Sequence, residues 1–570
     1  MFLFVFNFVS QSFYSLMSLR RSFPKFLLRL FAGLVLLAII LIIWFNSRTS
    51  LSPPQVTGTP IDTVRTEVSP GYYRIGNNWL RKNRYGIWEM YLEGPPYERG
   101  VIYGRLAKEL VNEQENVFVE QIRSMIPNAS ILNWLKYFVG WFNRDIDQYI
   151  PQENLEEIYG ISQSFSDSFN FIGKPYYRVL NYHAAHDIGH ALTDLNMVGC
   201  TSFAVNKDFS ADSSLIIGRN FDFNMGDGFA RNKLMLFMKP DKGYAFASVG
   251  WAGFTGVVSG MNEKGLTITL NAAKSDIPYK AKTPISILAR EILQYAANIE
   301  EAVAIAGSHE TFVSESLLIG SATDDRAVII EKTPARMDVY DSGTSLTVCS
   351  NHYQGRLLGA EKTNLENIEN SDSGYRFSRM KELIGNNVPL DLQNSISILR
   401  NTLGIHDEFI GYGNPKSINQ LLAHHGIVFK PGEYKLWVSA NPYQLGAFIG
   451  YDLKKVFSPV PFPADSNLVL PADPFLATKD YRNFEEFKKT ANDIRRYLMT
   501  GQAFSLSDAE ERRFINNNPE SYLPYLLLGD YYKNRKDCTK ALMYYQSALD
   551  KEPSSAKEET AIKEKMEKCR

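Results

Sequence analysis

Between Leu30 and Phe45 the chain runs through an uninterrupted apolar stretch, LFAGLVLLAIILIIWF. With Phe26 to Leu28 added and Arg29 snorkelling toward the headgroups, it reaches the roughly 20 residues that a bilayer span needs. Residues 26–45 are therefore expected to form a transmembrane helix. Arg20, Arg21, Lys25 and Arg29 precede or border it, and the first acidic residue is Asp62. By the positive-inside rule, residues 1–25 lie in the cytoplasm and everything after Phe45 lies outside, on the periplasmic side of the inner membrane if the cell is bacterial. No small-x-small cleavage pattern precedes Asn46, Ser47 and Arg48, so the helix is expected to stay as an anchor. Met17, followed by Ser-Leu-Arg-Arg, is as plausible a start as Met1.

The remainder reads as globular. A chain of 570 residues with 45% apolar and 22% charged side chains can bury large cores in about two to four units. Its 61 basic and 62 acidic residues nearly cancel, and the body carries no basic stripe, which excludes nucleic acid as a partner. The 31 Tyr and 35 Phe suit an apolar or acyl-binding pocket. Four cysteines are too few for a disulfide scaffold and lack zinc spacing. Cys538 and Cys569 share the C-terminal segment and are able to pair in an oxidising compartment, whereas Cys200 and Cys349 sit in strand-like, apolar surroundings.

Composition shifts divide the chain. Residues 46–71, including SLSPPQVTGT, read as a stalk. Residues 72–470 form the main body, and residues 471–570 form a helical tail. In the tail, Tyr525, Leu528, Gly529, Tyr532, Ala541, Tyr545, Ala548 and Pro553 fall at the offsets of one tetratricopeptide repeat. A single repeat cannot bury both faces, so it is expected to pack on helices around Phe484 to Leu498 or on the body; the open alternative is a surface for a protein partner. The body alternates short strand-like runs with glycine-rich turns: Thr201 to Asn206, Ser213 to Gly218, Ala245 to Val249, Gly265 to Asn271, Ser316 to Gly320 and Ala327 to Glu331. Pro284 opens a helix through PISILAREILQYAANIEEAVAIAG, and upstream helices are expected over Tyr103 to Met125 and Asn154 to Phe169. The fold class is α+β, in layers.

Cys200 follows a glycine in Met-Val-Gly-Cys-Thr-Ser-Phe-Ala-Val, and the next strand ends in Gly-Arg-Asn-Phe-Asp-Phe, residues Gly218 to Phe223. A hairpin would bring the two together. Cleavage after Gly199 would free an α-amino group of pKa about 7.7 to 8.0, able to take the thiol proton without a histidine. Asp222 is then suited to orient that amine, and Arg219 to hold the thiolate or a substrate carboxylate. A lone strand cysteine is nonetheless more often core than nucleophile.

Four motifs occur in one order: Gly199-Cys200-Thr201-Ser202, GRNFDF, the Gly-Leu-Thr-Ile-Thr-Leu-Asn run ending at Asn271, and Cys349-Ser350-Asn351-His352. Upstream stands Glu93-Gly94-Pro95-Pro96-Tyr97-Glu98-Arg99-Gly100, with Gly104 following. Together they resemble the acyl-coenzyme A:6-aminopenicillanic acid acyltransferase family of autoproteolytic cysteine Ntn-hydrolases, related to the choloylglycine hydrolase group. The resemblance implies an αββα sandwich made as a precursor that cleaves itself between Gly199 and Cys200. It assigns Cys200 as nucleophile, Asp222 as the contact of the new amino terminus, and Asn351 as an oxyanion-hole amide. Arg219 matches the bile-salt-hydrolase-like branch better than the acyltransferase itself. Thr201, Asn271 and His352 stand as supporting positions. The implied substrate is a small acyl amide or acyl thioester, with no cofactor. An extracytoplasmic site would lack acyl-coenzyme A, so amide hydrolysis is the preferred reading.

Two alternatives stay open from the residues. His183, His186 and His190 share one helical face beside Asp187 and invite a metal-dependent hydrolase, although HExxH is missing. A non-catalytic envelope scaffold binding protein through its tail is the other. His424 and His425 read as loop residues, and Glu300 with Glu301 as a solvated helix face.

Overall fold

Period-two alternation of branched and aromatic residues builds two sheets. The computed structural model of the chain describes residues 28–56, 64–185, 187, 199–223, 225–274, 280–458 and 468–570. The strands are β1 (Thr66–Ser69), β2 (Tyr72–Ile75), β3 (Asn78–Lys82), β4 (Trp88–Gly94), β5 (Thr201–Lys207), β6 (Ser213–Phe221), β7 (Leu234–Pro240), β8 (Phe246–Gly250), β9 (Ser259–Asn262) and β10 (Leu266–Ala272). They continue as β11 (Glu315–Ser321), β12 (Arg326–Lys332), β13 (Met337–Tyr340), β14 (Leu346–Cys349), β15 (His425–Lys430), β16 (Lys435–Ser439), β17 (Phe448–Asp452) and β18 (Val469–Leu470). Each strand-like run of the sequence is among them.

An 11-stranded sheet runs β1-β2-β3-β4-β7-β8-β9-β10-β11-β12-β13, and a 7-stranded sheet runs β14-β5-β6-β15-β16-β17-β18. Described pairings are antiparallel except β4 with β7. The sheets face each other across Leu215, Ile217, Phe237, Val249, Leu318, Ile329, Ile427, Phe429 and Val438. Helices cover the outer face of the larger sheet through Leu106, Ile158, Leu288 and Ile292. Helices Ser373–Asn387 and Leu392–Leu399 cover the smaller one through Met380, Ile384, Ile396 and Leu399. The result is four layers, helix on sheet on sheet on helix, with each fully buried aliphatic or aromatic side chain contributing about 1.5–3 kcal/mol.

The helices over the larger sheet explain the upstream motif. α1 (Leu28–Thr49) is the apolar helix described below; α2 (Pro96–Leu106), α3 (Lys108–Met125), α4 (Ala129–Phe142), α5 (Gln152–Ser162) and α6 (Pro175–His183) follow. Pro95 and Pro96 open α2, Pro96 filling a position whose N–H has no helical partner. Gly100 lies so close to α5 that a Cβ there would stand 2.1 Å from the Glu157 carbonyl oxygen, and one on Gly160 would stand 2.5 Å from that of Tyr97. This contact puts Arg99 on Glu157, Nε to Oε2 2.7 Å, while Arg290 reaches Oε1 at 3.0 Å. Burial alone would push the Glu157 carboxyl up, but Arg290 and Arg99 outweigh it and hold its pKa at about 2.

Several helix boundaries differ from expectation. The stretch expected as one helix over Tyr103 to Met125 is two, broken at Ala107, whose φ of −102° and ψ of 21° leave the helical range. The helix expected over Asn154 to Phe169 stops at Ser162, and a short 3-10 turn takes up Asp167–Phe169. The run after Pro284 also breaks, into Ile285–Tyr295 and Ile299–Ser308, because the Asn298 side chain caps a new helix by accepting from the Glu301 N–H. Glu300 and Glu301 are exposed, as read.

α1 is long and apolar enough to cross a membrane. It extends to Thr49, into the stretch read as stalk, and β1 takes up Thr66–Ser69 of the same stretch by pairing with β2. Residues 1–25, read as cytoplasmic, lie outside the described residues. Trp44 and Phe45 of α1 pack on Trp141 of α4, ring centroids 5.6 and 5.8 Å apart.

The tail consists of helices Lys479–Thr500, Asp508–Asn516, Leu523–Asn534, Cys538–Leu549 and Ala556–Glu567. The repeat-like positions fall on Leu523–Asn534, on Cys538–Leu549 and on the turn after it, and Leu528, Tyr532, Ala541, Tyr545 and Ala548 share one core. That core takes in both Phe484 and Phe487 of the first tail helix and Leu421, Tyr443 and Leu445 of the body. Cys538 and Cys569 stand 2.7 Å apart, sulfur to sulfur, as free thiols.

Gly100→Ala is expected to wedge α2 from α5 and to destabilise the chain by about 1–3 kcal/mol, read as a lower urea midpoint of the detergent-solubilised protein. An unchanged midpoint would mean that the helices separate at no cost.

Candidate active site

The β5–β6 hairpin expected from the sequence forms, with Thr201 opposite Asn220 and Ser202 opposite Arg219. On its other edge β5 pairs with β14, Ser202 lying opposite Cys349. Cys200, immediately before β5, is therefore flanked by the end of β6 and by the Ser350-Asn351 corner that leaves β14. It is fully buried, and its Sγ accepts from Arg219 Nη2 at 3.5 Å.

Arg219 is held rigidly. Nη1 donates to the Val258 carbonyl at 2.9 Å and to Ser259 Oγ at 2.5 Å, Nη2 also donates to the Leu270 carbonyl, and the guanidinium lies 4.5 Å from the centre of the Phe221 ring. Beyond Ser259 a chain of buried polar groups continues to His425 Nε2 at 2.9 Å, and from His425 Nδ1 to His424 Nδ1 at 2.9 Å. Of the two histidines read as loop residues, His424 does lie in the bend before β15 whereas His425 opens that strand; both are buried, and burial holds both pKa values well below the ordinary value. Two adjacent polar residues carry no period, so the sequence offered no sign that His425 opens a strand or that both side chains are buried.

Burial pushes the Cys200 thiol up to about 11, with Arg219 opposing and Asp222 reinforcing. The resting group is thus a thiol and needs a base to become a nucleophile. Asp222 is buried as well; burial pushes its pKa up to about 7 against the pull of Arg376 and Arg219. Neither of its carboxyl oxygens has a hydrogen-bond partner among the described residues. Its backbone carbonyl accepts from the Gly199 N–H at 3.1 Å, which fixes the peptide before Cys200 against it. Buried carboxyl oxygens are normally paired, so an empty pair of acceptors beside a cysteine defines a place for a donor.

Arg376, from helix Ser373–Asn387, escaped the sequence reading. Its Nη1 donates to the Cys200 carbonyl at 2.8 Å, to Thr201 Oγ1 at 2.7 Å and to Ser350 Oγ at 3.2 Å. Its Nη2 donates to Asn351 Oδ1 at 2.8 Å and to Asp372 Oδ1 at 3.1 Å. One guanidinium thereby ties the cysteine, its following threonine and the asparagine corner together. Its only trace in the sequence is an acidic residue four positions earlier, a spacing shared by many solvated pairs.

The remaining expected positions divide. Asn351 Nδ2 donates one hydrogen to the Ala272 carbonyl at 2.8 Å, leaving the other free of that bond. Asn271 stitches the sheets, accepting from Ser202 Oγ at 2.7 Å and donating to the Cys349 carbonyl at 3.2 Å. His352 turns to Ser373, Nδ1 to Oγ 2.8 Å, and burial lowers its pKa to about 4. His183 is committed to the core: its Nδ1 donates to the Val179 carbonyl at 2.8 Å and its Nε2 accepts from the Thr255 N–H at 3.0 Å. His186 and His190 lie outside the described residues. Asp187 caps helix Ile285–Tyr295, Oδ2 accepting from the Ile285 N–H at 2.8 Å. Among the described residues, no three His, Cys, Asp or Glu side chains gather to hold a metal ion. Beside the cysteine, Phe221 stacks on Phe223 at 5.6 Å, and Phe223 lines an aromatic pocket with Phe118, Phe229, Trp251 and Phe254.

Comparison with known proteins bears out the resemblance drawn from the motifs. Residues 209–441 match the family model of acyl-coenzyme A:6-aminopenicillanic acid acyl-transferase, a match that begins beyond Cys200. A protein of Archaeoglobus fulgidus is 28% identical over 235 residues, 38% of this chain and 38% of its own length. The N-acylethanolamine-hydrolyzing acid amidase of Caenorhabditis elegans is 25% identical over 264 residues, 44% of this chain and 68% of its own length. The chain thus spans well under half of the archaeal relative. Among solved structures, a Caenorhabditis elegans orthologue of that amidase overlays with a TM-score of 0.30 at 18% identity, over 41% of this chain and 93% of its own. The conjugated bile acid hydrolase of Clostridium perfringens overlays with a TM-score of 0.32 at 16% identity, over 48% and 95%.

The orphaned carboxyl gives a pH signature. Because the Asp222 pKa in the fold, about 7, exceeds the unfolded value of about 3.9, unfolding releases its proton and grows easier as pH rises between the two. In a thiol-free Cys200→Ala background, adding Asp222→Asn should widen the stability gap in favour of Asn by about 3 kcal/mol between pH 5 and pH 8, read from urea midpoints. Parallel pH profiles would mean that the carboxyl is solvated or paired.

Proposed function

From the match of residues 209–441 to the acyl-coenzyme A:6-aminopenicillanic acid acyl-transferase family model, we propose that the chain is a membrane-anchored, self-processing cysteine Ntn-hydrolase that cleaves an acyl amide. The observation that carries the reading is a buried cysteine, preceded by glycine, with a charged Arg219 on its sulfur and an unpartnered Asp222 carboxyl beside its peptide.

In the precursor the Cys200 sulfur attacks the Gly199 carbonyl carbon, the carbon–nitrogen bond breaks, and the thiol proton ends on the departing Cys200 nitrogen. Water hydrolyses the resulting thioester and leaves Gly199 as a carboxylate and Cys200 with a free α-amine. That amine, with an ordinary pKa of about 7.7 to 8.0, is the base the raised thiol lacks. Asp222 supplies the acceptor for the ammonium formed when it takes the proton, and Arg219 stabilises the thiolate. The thiolate then attacks the substrate carbonyl, the amine leaves with a proton, and water releases the acyl group; an amine acceptor in place of water makes the same site a transferase. Asn351 is assigned to the oxyanion, through the amide hydrogen not bound to Ala272. The aromatic pocket accommodates the acyl part. The nematode relative's name states the same reaction class.

α1 anchors the body, with the catalytic layers on the extracytoplasmic side, as the basic residues before it indicate. The tail is one tetratricopeptide-like unit whose apolar face is occupied by the body.

Intact mass and N-terminal sequencing of the purified chain should reveal a fragment beginning at Cys200 in the wild type and a single chain in Cys200→Ala; a single chain in both would overturn the reading. Asn351→Ala should lower turnover of a chromogenic acyl amide by about 10²-fold or more. Unchanged turnover would assign the oxyanion to another donor.

A further inference from the structure

Three bonds hold the peptide expected to break and the peptides on either side of it. The Gly199 N–H donates to the Asp222 carbonyl at 3.1 Å, and the Cys200 carbonyl accepts from Arg376 Nη1 at 2.8 Å. The third falls on the reacting atom itself: the Gly199 carbonyl oxygen accepts from Gln420 Nε2 at 2.9 Å. A carbonyl oxygen only accepts, so the Gln420 amide is oriented with its nitrogen toward the bond.

Nothing in the acyl-transfer site described above uses Gln420. The residue is 5% exposed, in a segment with no regular secondary structure before β15. That segment is nevertheless fixed. Asn220 Nδ2 of β6 donates to the Ile418 carbonyl at 2.9 Å, Asn419 N–H donates to the Asn401 carbonyl at 2.8 Å, and Asn419 Oδ1 accepts from the Leu421 N–H at 3.0 Å. Leu421 adopts a positive φ of 53°, a conformation leucine rarely takes, and its side chain packs into the core shared with tail residues Phe484 and Phe487. Earlier in the same loop Asn414 Nδ2 donates to the Glu552 carbonyl of the tail at 2.9 Å. A strained turn clamped between β6 and the tail thus presents one amide to one carbonyl. Glycine at 199 leaves room for this placement: a Cβ there would stand 2.5 Å from Gln420 Nε2.

We propose that Gln420 is a catalytic residue of the self-cleavage, donating to the oxyanion that forms on the Gly199 carbonyl when Cys200 attacks it, and that the helical tail serves this step by holding the Gln420 turn in place. The proposal rests on the self-processing reading above. As the carbon–sulfur bond forms, the carbonyl π electrons move to oxygen, and the amide hydrogen already lying on that oxygen strengthens its bond to the growing charge. The electrons return as the carbon–nitrogen bond breaks, with the proton passing from sulfur to nitrogen. A preorganised donor of this kind is worth about 10²- to 10³-fold in rate. Once the bond is broken, the Gly199 carboxylate departs from the reacting centre, which separates this donor from Asn351, assigned to later turnovers.

The test follows conversion of newly made full-length chain to the fragment beginning at Cys200, by pulse-chase and intact mass, at pH 7.5 and pH 5. Gln420→Met removes the donor at similar volume, and Gln420→Glu keeps the shape but donates only when protonated. Relative to wild type at each pH, both variants should convert about 10²-fold more slowly at pH 7.5, and only Gln420→Glu should recover toward the wild-type rate at pH 5. Wild-type rates in either variant at pH 7.5 overturn the proposal. Slow conversion of both at both pH values also overturns it, since Gln420 then merely holds the segment. Unfolding midpoints in the Cys200→Ala background identify a variant that is slow because it misfolds, in which case the other decides. A wild-type chain that never converts removes the self-processing reading and this proposal together, whereas conversion unaffected by Gln420 removes this proposal alone.

Discussion

The site depends on the register of β5. A strand paired on both edges cannot slip by one residue without turning every side chain to the opposite face. With Ser202 opposite both Arg219 and Cys349, the residue just before the strand has the end of β6 on one side and the Asn351 corner on the other. The two-sheet core makes that register costly to change, because Ala204, Leu215 and Ile217 of the hairpin face Phe237, Val249 and Leu318 of the larger sheet. Cys200 is thus positioned by apolar packing between the two sheets.

Around the cysteine, charge is arranged against burial. A thiol, a carboxyl and two guanidiniums are all fully buried here, and burial alone would neutralise the acids. The arginines resist through fixed geometry: Arg219 is pinned to two backbone carbonyls and a serine, and Arg376 to the cysteine carbonyl and the asparagine corner. Among the described residues Asp222 is left unsatisfied, and a buried unsatisfied acceptor is a cost that the fold must carry until a donor arrives. The Glu157 pair is the contrast. There two arginines satisfy one carboxylate, its pKa falls to about 2, and the group is purely architectural. Counting buried acids would not separate the two; asking what each oxygen touches does.

The layers beyond the sandwich bear on the site by contact. The tail shares a core with the body through Leu421, Tyr443 and Leu445, and so reaches the turn beside Gly199. α1 meets the body through Trp44 and Phe45 on α4.

Much was legible in sequence because it depends on local period or composition. The apolar run from Leu30 to Phe45 marks its helix by length alone, the alternation in Leu266, Ile268 and Leu270 marks a strand, and glycine before cysteine with an Asp-bearing hairpin partner marks a site. Helix breaks at Ala107 and Asn298 were missed because a stripe of apolar residues continues across them while the capping that interrupts it is local. Gly100 shows the middle case: the motif was visible, but its reason, backbone contact with Glu157, needed the partner helix. Arg376, His424, His425 and Gln420 were invisible for one physical reason. A polar side chain on an irregular or solvated-looking segment acquires meaning only from what the fold sets against it, and those neighbours lie many residues away. The sequence by itself determined the long apolar helix, the strands and the hairpin that carries Cys200. Tertiary structure alone decided which donors surround it, because hydrogen bonds across sheets and loops depend on register and packing, which no local pattern encodes.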